Sequence, residues 1–315
     1  KKLMPSRLLI LIAVLIAIVC SYFIFTQKPK IEVSFYHWKN SFKEENVKEK
    51  LYIKVLDISY SKKLEFEKTR FIKKAPKKFI PTVYITNEAM KNINYKNISK
   101  LILEQTKAYD FSELQIDCDW SLLSKANYFD LLKELKTKSS KKISATIRLH
   151  QIKYYAKTGV PPVDYGVLMY YNMSNITDIK TKNSILDNGI AKKYHYNFDE
   201  YPLRLKLALP LYNQAIRFRK NMPLDIFEGL KEENFKKNFS KIDTNYYRAK
   251  KSMYFQKKYI YKDDIFRFEQ SLEKDLDIAI NDFFSLAKNP FNEIIFYRYS
   301  YKNRYNLNHL IKDNL

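Results

Sequence analysis

Two aspartates separated by a single residue are the clearest sign of chemistry in this chain. The run Leu114–Trp120, LQIDCDW, is apolar up to Ile116 and then alternates carboxylate and thiol before a tryptophan. Such a run is typical of a buried parallel strand, and residues two apart project from the same side of a strand. Asp117 and Asp119 would therefore converge at the carboxyl end of the strand beside an aromatic ring, which indicates a sugar-processing site. The alternative is that both acids cap the next helix and pair with lysines.

Seven further apolar runs resemble this strand, and helix-like segments separate several of them. Alternating strands and helices predict βα units around a parallel sheet. Eight units predict a (β/α)8 TIM-type barrel, whose functional residues gather at the carboxyl ends of the strands. The eight predicted strands are Ile31–Trp38, Leu51–Ser59, Phe79–Thr86, Leu114–Trp120, Ile143–Leu149, Tyr165–Tyr171, Arg204–Leu211 and Glu293–Tyr299. The clearest predicted helices are Ile98–Lys107, Asn127–Lys136 and Leu272–Ala287.

The interval between the seventh and eighth predicted strands is longer than one βα unit requires. We therefore expect an α+β insertion at about residues 220–270, within a barrel that spans residues 31–315. A hairpin and a charged, solvated segment are expected inside the insertion. The hairpin would pair Tyr254–Tyr261 with Ile265–Phe268 across a turn at residues 262–264, and the charged segment is Glu232–Lys241.

Acids, amides, basic residues and aromatic rings stand at the predicted strand ends. Sugar rings pack their C–H faces on aromatic side chains, while their hydroxyls need polar partners, so this mixture suits a glycan better than an apolar ligand. We expect both tryptophans at the rim of one pocket. The alternative is that each polar residue caps a loop and each aromatic residue belongs to the core. The substrate-binding candidates are Trp38, Glu88, Trp120, Arg148, His150, Asn172, Tyr212, Gln214 and Tyr297.

Composition narrows the classes of function. The 315 residues include only four glycines and contain neither a GxGxxG nor a Walker-type loop, which disfavours a phosphate-binding fold. The net charge of +23 would attract polyanions, but the lysines are scattered and no nucleic-acid motif accompanies them, so no nucleic-acid partner is expected. Cys20 and Cys118 lack CxxC spacing and the four histidines are dispersed, so neither a metal nor another cofactor is expected.

The first 30 residues read as a membrane anchor and linker. Lys1, Lys2 and Arg7 precede an apolar run from Leu8 to Phe25, roughly 18 residues and near the lower limit for a spanning helix. Basic residues before the run predict a cytoplasmic N-terminus and an exported barrel. A cleaved signal peptide and a lipoprotein at Cys20 are the less favoured alternatives, because no small-x-small cleavage site is evident and valine precedes the cysteine.

Three blocks, in order, are similar to a known family. Ile116–Trp120, Leu168–Asn172 and Leu209–Tyr212 resemble the strand-four, strand-six and strand-seven motifs of family 18 glycoside hydrolases, the chitinase-like (β/α)8 barrels. The chain resembles more closely an uncharacterised bacterial group described as glycosyl-hydrolase-like. The resemblance spans roughly Ile31 to Tyr301 and implies the same barrel, with an insertion after the seventh strand.

The resemblance also implies roles for particular residues, and it shows where this sequence departs from the family's motifs. In that family the substrate's own N-acetyl group attacks the anomeric carbon. By resemblance, Asp119 would orient that group and Tyr171 would hydrogen-bond it, but Ser121 stands where the family has its catalytic glutamate. The first motif aspartate is likewise replaced by Leu114, and the strand-six aspartate by Asn172.

The sequence is compatible with two functions from different classes, an enzyme and a binding protein. The chain would be an exported glycosidase that uses another acid, or a silent barrel that binds a glycan or an envelope protein. As the acid, Asp117 or Asp119 could be kept protonated by its neighbour, and Glu88 is a second candidate. A structural subunit of a membrane complex is a third and weaker alternative.

Overall fold

Eight parallel strands form a closed barrel in the computed structural model, which describes residues 30–77 and 79–312. Neighbouring strands pair in chain order, and β1 pairs with both β2 and β8, which closes the barrel. All eight predicted strands are confirmed, with small shifts at their ends. The strands are β1 (Glu32–His37), β2 (Lys50–Tyr60), β3 (Ile80–Ile85), β4 (Glu113–Asp117), β5 (Lys142–Arg148), β6 (Tyr165–Met169), β7 (Leu205–Pro210) and β8 (Glu293–Tyr297).

The apolar runs form these strands because most of their residues are buried on both faces. In β4 the outward residues Leu114 and Ile116 join the large core between barrel and helices. The inward residues Gln115 and Asp117 hydrogen-bond Tyr36 and Thr146 on other strands. Alternation within one buried strand thus sends its apolar residues to the helices and its polar residues to the barrel interior.

Helices cover much of the barrel. The three helices predicted from the sequence are confirmed, at Tyr95–Thr106, Lys125–Lys138 and Glu273–Leu286. Between β1 and β3 the described chain forms short strands in place of covering helices. The short strand Leu64–Lys68 runs antiparallel to β2, and Ser41–Phe42 pairs with Arg70–Phe71. The helices are α1 (Asn87–Asn92), α2 (Tyr95–Thr106), α3 (Lys125–Lys138), α4 (Leu149–Lys153), α5 (Tyr155–Thr158), α6 (Asn188–Ala191), α7 (Glu273–Leu286) and α8 (Leu307–Lys312), with 3₁₀ turns at Lys192–Tyr194, Glu232–Phe235 and Tyr299–Arg304.

A buried polar network fills the barrel interior near the amino ends of the strands. Lys206 lies 2.9 Å from Glu293 and 3.7 Å from Glu113, and its ammonium also donates to the hydroxyls of Tyr52 and Tyr165. Each buried charge therefore has an opposite charge and hydrogen-bond partners, the condition under which charges are tolerated in an interior.

An inserted sheet lies between β7 and β8, but its pairing differs from the predicted hairpin. Ile265–Gln270 pairs with Asn213–Arg219 and Tyr246–Ala249, not with residues 254–261. Within Glu232–Lys241, expected to be solvated, Phe235 and Phe239 are buried in the core of this insertion. The five strands of the sheet are Asn213–Arg219, Met222–Glu228, Phe239–Asp243, Tyr246–Ala249 and Ile265–Gln270, and Met253–Phe255 forms a separate hairpin with Lys258–Ile260.

A buried ion pair helps to join the insertion to the loop that follows β6. Arg267 and Glu269 are both fully buried, with 2.6 Å between Nε and Oε1. The Arg267 guanidinium also donates to the backbone carbonyls of Asp178 and Ile176. One side chain thus ties a strand of the insertion to two carbonyl groups of this loop.

The predicted spanning helix, Leu8–Phe25, lies outside the described residues. Among the residues that the structure does describe, no helix is both long and apolar enough to cross a membrane.

Candidate functional site

Asp117 lies at the carboxyl end of β4, where it faces the barrel interior. The side chain is buried, and Oδ1 accepts a 2.6 Å hydrogen bond from the Thr146 hydroxyl. Burial raises the pKa of Asp117 to about 7, and the charges of Asp119 and Asp57 add to the rise, while Thr146 and Arg148 oppose it. Asp117 is therefore a carboxyl group that can hold or release a proton near neutral pH.

Asp119 lies beyond the end of β4 and is open to solvent. Its side chain is 63% exposed, and Oδ1 lies 3.7 Å from Nε of Arg148. Arg148 also donates to the backbone carbonyl of Asn172, 2.7 Å away, and so spans the mouth between the ends of β4 and β6. The two aspartates lie two residues apart at the end of β4, but their surroundings differ sharply, because Asp117 is buried and Asp119 is exposed.

Aromatic rings form the wall of the mouth around Tyr297, at the end of β8. Its ring stacks on Tyr171 at 5.6 Å between centroids and meets Tyr212 and Trp38 edge-on at 5.7 Å and 6.1 Å. The Tyr212 hydroxyl donates to Oδ1 of Asn172. Five residues predicted from four strand ends are thus brought together: Trp38, Tyr171, Asn172, Tyr212 and Tyr297.

Four other predicted site residues do not join the aromatic wall of the mouth. Trp120 was expected at the rim but is buried outside the barrel, stacked on Tyr128 of α3 and bonded to the Thr158 carbonyl. Gln214 lies in the insertion strand Asn213–Arg219, where its side chain donates to Glu269 and Ser184. Glu88 pairs with Lys91 on the surface of α1, and His150 is exposed on α4.

Ser121, at the position of the family's glutamate, is held by local contacts. Its backbone N–H donates to Oδ1 of Asn87 at 3.2 Å and to the hydroxyl of Ser124 at 3.0 Å. Its own hydroxyl oxygen is buried without a hydrogen-bond partner. The residue thus forms part of a turn before α3 and carries no group able to protonate a glycosidic oxygen.

Three residues near the mouth were not predicted as site residues. Lys54 is bonded to Asp57 at 2.6 Å, and its ammonium lies 5.6 Å from the centre of the Trp38 ring. Tyr84 of β3 lies opposite Asp117 of β4 in the sheet. Burial and then the charges of Asp117 and Asp119 raise the pKa of Tyr84 to about 12. Lys54 and Asp57 interrupt an otherwise buried apolar strand, which is a signal the sequence contained.

No group of three or more histidine, cysteine or acidic residues is placed to hold a metal ion, within residues 30–77 and 79–312. Cys118 is a buried free thiol, and burial raises its pKa. The side chains at the mouth are carboxylates, an arginine and aromatic rings.

Solved structures with similar folds cover most of the chain. The Bacillus cereus spore cortex-lytic enzyme SleL matches with a TM-score of 0.53 and 11% identity, over 92% of this chain and 75% of that one. A chitinase from Chromobacterium violaceum matches with a TM-score of 0.53 and 10% identity, over 90% and 98%. No protein-family model and no curated protein sequence matches the chain. The predicted likeness to chitinase-like barrels is thus confirmed for the fold.

Proposed function

We propose that the mouth of this barrel binds a glycan and that it cleaves glycosidic bonds weakly or not at all. The observation that carries the proposal is the aromatic wall around Tyr297, which adjoins an acid pair and an arginine. Trp38 and Tyr297, the partly exposed rings of this wall, offer faces to the C–H surface of a sugar, and the buried rings of Tyr171 and Tyr212 support them. Asp119, Arg148 and Asn172 offer acceptors and donors to the sugar hydroxyls.

The acid pair supports binding more than it supports catalysis. Asp117 can carry a proton near neutral pH, but it is buried and bonded to Thr146. Asp119 is exposed and lies beside the positive charge of Arg148, an arrangement suited to accepting hydrogen bonds from sugar hydroxyls. Ser121 supplies no acid. Hydrolysis through Asp117 or Asp119 is the alternative, and it would require one of them to reach the leaving oxygen.

The proposal includes the place of the protein in the cell, which rests on sequence alone. The apolar run Leu8–Phe25, preceded by basic residues, would anchor the protein and leave the barrel outside the cytoplasm. A cell-envelope or extracellular glycan is then the substrate class that the barrel would meet, and other envelope proteins would be within its reach as partners.

The test measures binding and cleavage separately on N-acetylglucosamine oligomers. We expect binding by calorimetry without release of reducing ends. Trp38→Ala should weaken binding about tenfold or more, because a central aromatic contact contributes about 2 kcal/mol. Tyr254→Ala is the matched control, since Tyr254 is 79% exposed on the insertion hairpin, and it should change nothing.

Two results would contradict the proposal. Cleavage at ordinary glycosidase rates would refute the weak-catalysis half. Failure of the wild-type protein to bind any glycan in a broad oligosaccharide panel would refute the binding half, and the fold alone would then be shared with chitinases.

A further inference from the structure

A groove beside the mouth has aromatic walls of its own. It has a volume of about 440 Å³ and lies between the carboxyl ends of β1–β3 and the strand Leu64–Lys68. Trp38 and Tyr84 line it on the barrel side, and Glu65 and Glu67 line it on the side of the strand Leu64–Lys68. Glu67 and Tyr84 both pair with Asp57 in the sheet register, so the three side chains lie on one face of the sheet. Trp38 also contacts Tyr297, so the groove adjoins the mouth.

The groove is acidic, although the chain as a whole is strongly basic. Asp57, Glu65 and Glu67 line it, and Lys54 is the one basic residue among its described lining residues. Three carboxylates against one ammonium leave an excess of two negative charges when all are ionised, on a chain of net charge +23. Glu67 also lies directly opposite Asp57 across the antiparallel pair, where like charges destabilise a sheet.

Lys54 shows which chemical group this groove accommodates. Its ammonium lies 2.6 Å from Oδ2 of Asp57, 2.7 Å from Oδ1 of Asn40 and 5.6 Å from the centre of the Trp38 ring. A carboxylate, an amide oxygen and an aromatic face are the partners that an ammonium group prefers. The other oxygen of Asp57 is buried without a hydrogen-bond partner, whereas Glu67, directly opposite, is exposed and presents its carboxylate to the groove.

We propose that the groove binds the free amine of an amino sugar, as found in N-deacetylated glucosamine units. The sugar ring would lie against Trp38 and Tyr84, and its ammonium group would meet the carboxylates of Asp57 and Glu67. This inference rests on the proposed function, because the groove extends the mouth that holds the glycan. A metal ion is a poorer occupant, since no metal-binding group of three is found in the described chain and a metal would make no use of the rings.

The experiment compares two probes by calorimetry at pH 6 and low salt: a glucosamine tetramer and an N-acetylglucosamine tetramer. We expect the glucosamine tetramer to bind more tightly and to lose that advantage as salt is added. The net charge of the chain repels cations, so a preference for the cationic oligomer must come from a local site.

Glu67→Gln is the decisive variant, because Glu67 is exposed and its replacement leaves the Lys54–Asp57 pair intact. It should weaken binding of the glucosamine tetramer about two- to fivefold and leave the N-acetylated tetramer unaffected. Glu104→Gln, an equal change of charge at an exposed position on α2, is the matched control and should alter neither.

The outcomes separate this inference from the function on which it rests. If neither tetramer binds, the glycan-binding proposal fails. If only the N-acetylated tetramer binds, or if Glu67→Gln and Glu104→Gln have equal effects, glycan binding stands and the amino-sugar site is overturned. Equally tight binding of trilysine or of calcium would also overturn it, since either would show cation binding that needs no sugar.

Discussion

Replacing Asp117 with asparagine should change how the stability of the protein depends on pH. In the folded chain the pKa of Asp117 is raised to about 7, from an ordinary value of 3.8, mainly by burial. Between these two values the folded state keeps the proton that the unfolded chain has released. The stability that Asp117 contributes is therefore fully present below about pH 4 and is lost as pH rises through about 7.

The size of the effect follows from the shift. About three pH units at roughly 1.4 kcal/mol each give an upper limit of about 4 kcal/mol. An asparagine in place of Asp117 would have no charge to bury and could still accept the Thr146 hydrogen bond. We therefore expect Asp117→Asn to match the wild type near pH 4 and to exceed its free energy of unfolding by about 2–4 kcal/mol at pH 8.

Urea unfolding at half-unit steps from pH 4 to pH 8 provides the measurement. Asp130→Asn is the control, because Asp130 is exposed on α3 and pairs with Lys133; its profile should follow that of the wild type. Parallel profiles for Asp117→Asn and wild type would refute the reasoning, and would mean that Asp117 is ionised in the folded protein throughout this range.

Two further predictions concern catalysis and the insertion. Ser121→Glu should make hydrolysis of N-acetylglucosamine oligomers measurable in a reducing-end assay. Adding Asp119→Asn to this variant should abolish the hydrolysis. Activity that survives the second substitution would contradict the orienting role of Asp119. Arg267→Met leaves the buried carboxylate of Glu269 unpaired and should lower the free energy of unfolding by about 3–5 kcal/mol. Adding Glu269→Leu should restore part of this stability. A loss under about 1 kcal/mol for Arg267→Met would contradict the structural role of the ion pair.

The barrel strands were predictable because each depends mainly on its own sequence. A run such as Tyr165–Met169 is apolar enough to require burial wherever it lies, and eight strand-like runs separated by helical segments allow few other folds. The insertion was not predictable in the same way, because Ile265–Gln270 pairs with Asn213–Arg219, about 50 residues earlier. Pairing over that distance is decided by packing in three dimensions, which local patterns do not report.

The site was predictable where strand alternation holds and unpredictable where it fails. Asp117 ends β4 in register, so its direction followed from the sequence. Trp120 lies three residues past the strand, where alternation no longer applies, and it turns to pack on α3. Lys54 and Asp57 are three apart and would face opposite sides of a regular strand, but the pairing of β2 with β3 shifts register after Lys54. This irregularity brings the two side chains together.

The buried network around Lys206 closes the interior of the barrel below the mouth. Lys206, Glu293 and Glu113 occupy the amino ends of their strands as paired charges. A ligand group that reached this depth would have to separate a buried ion pair, which is costly. The glycan of the proposed function would therefore be held at the mouth, and binding would depend on the few sugar units in contact with it.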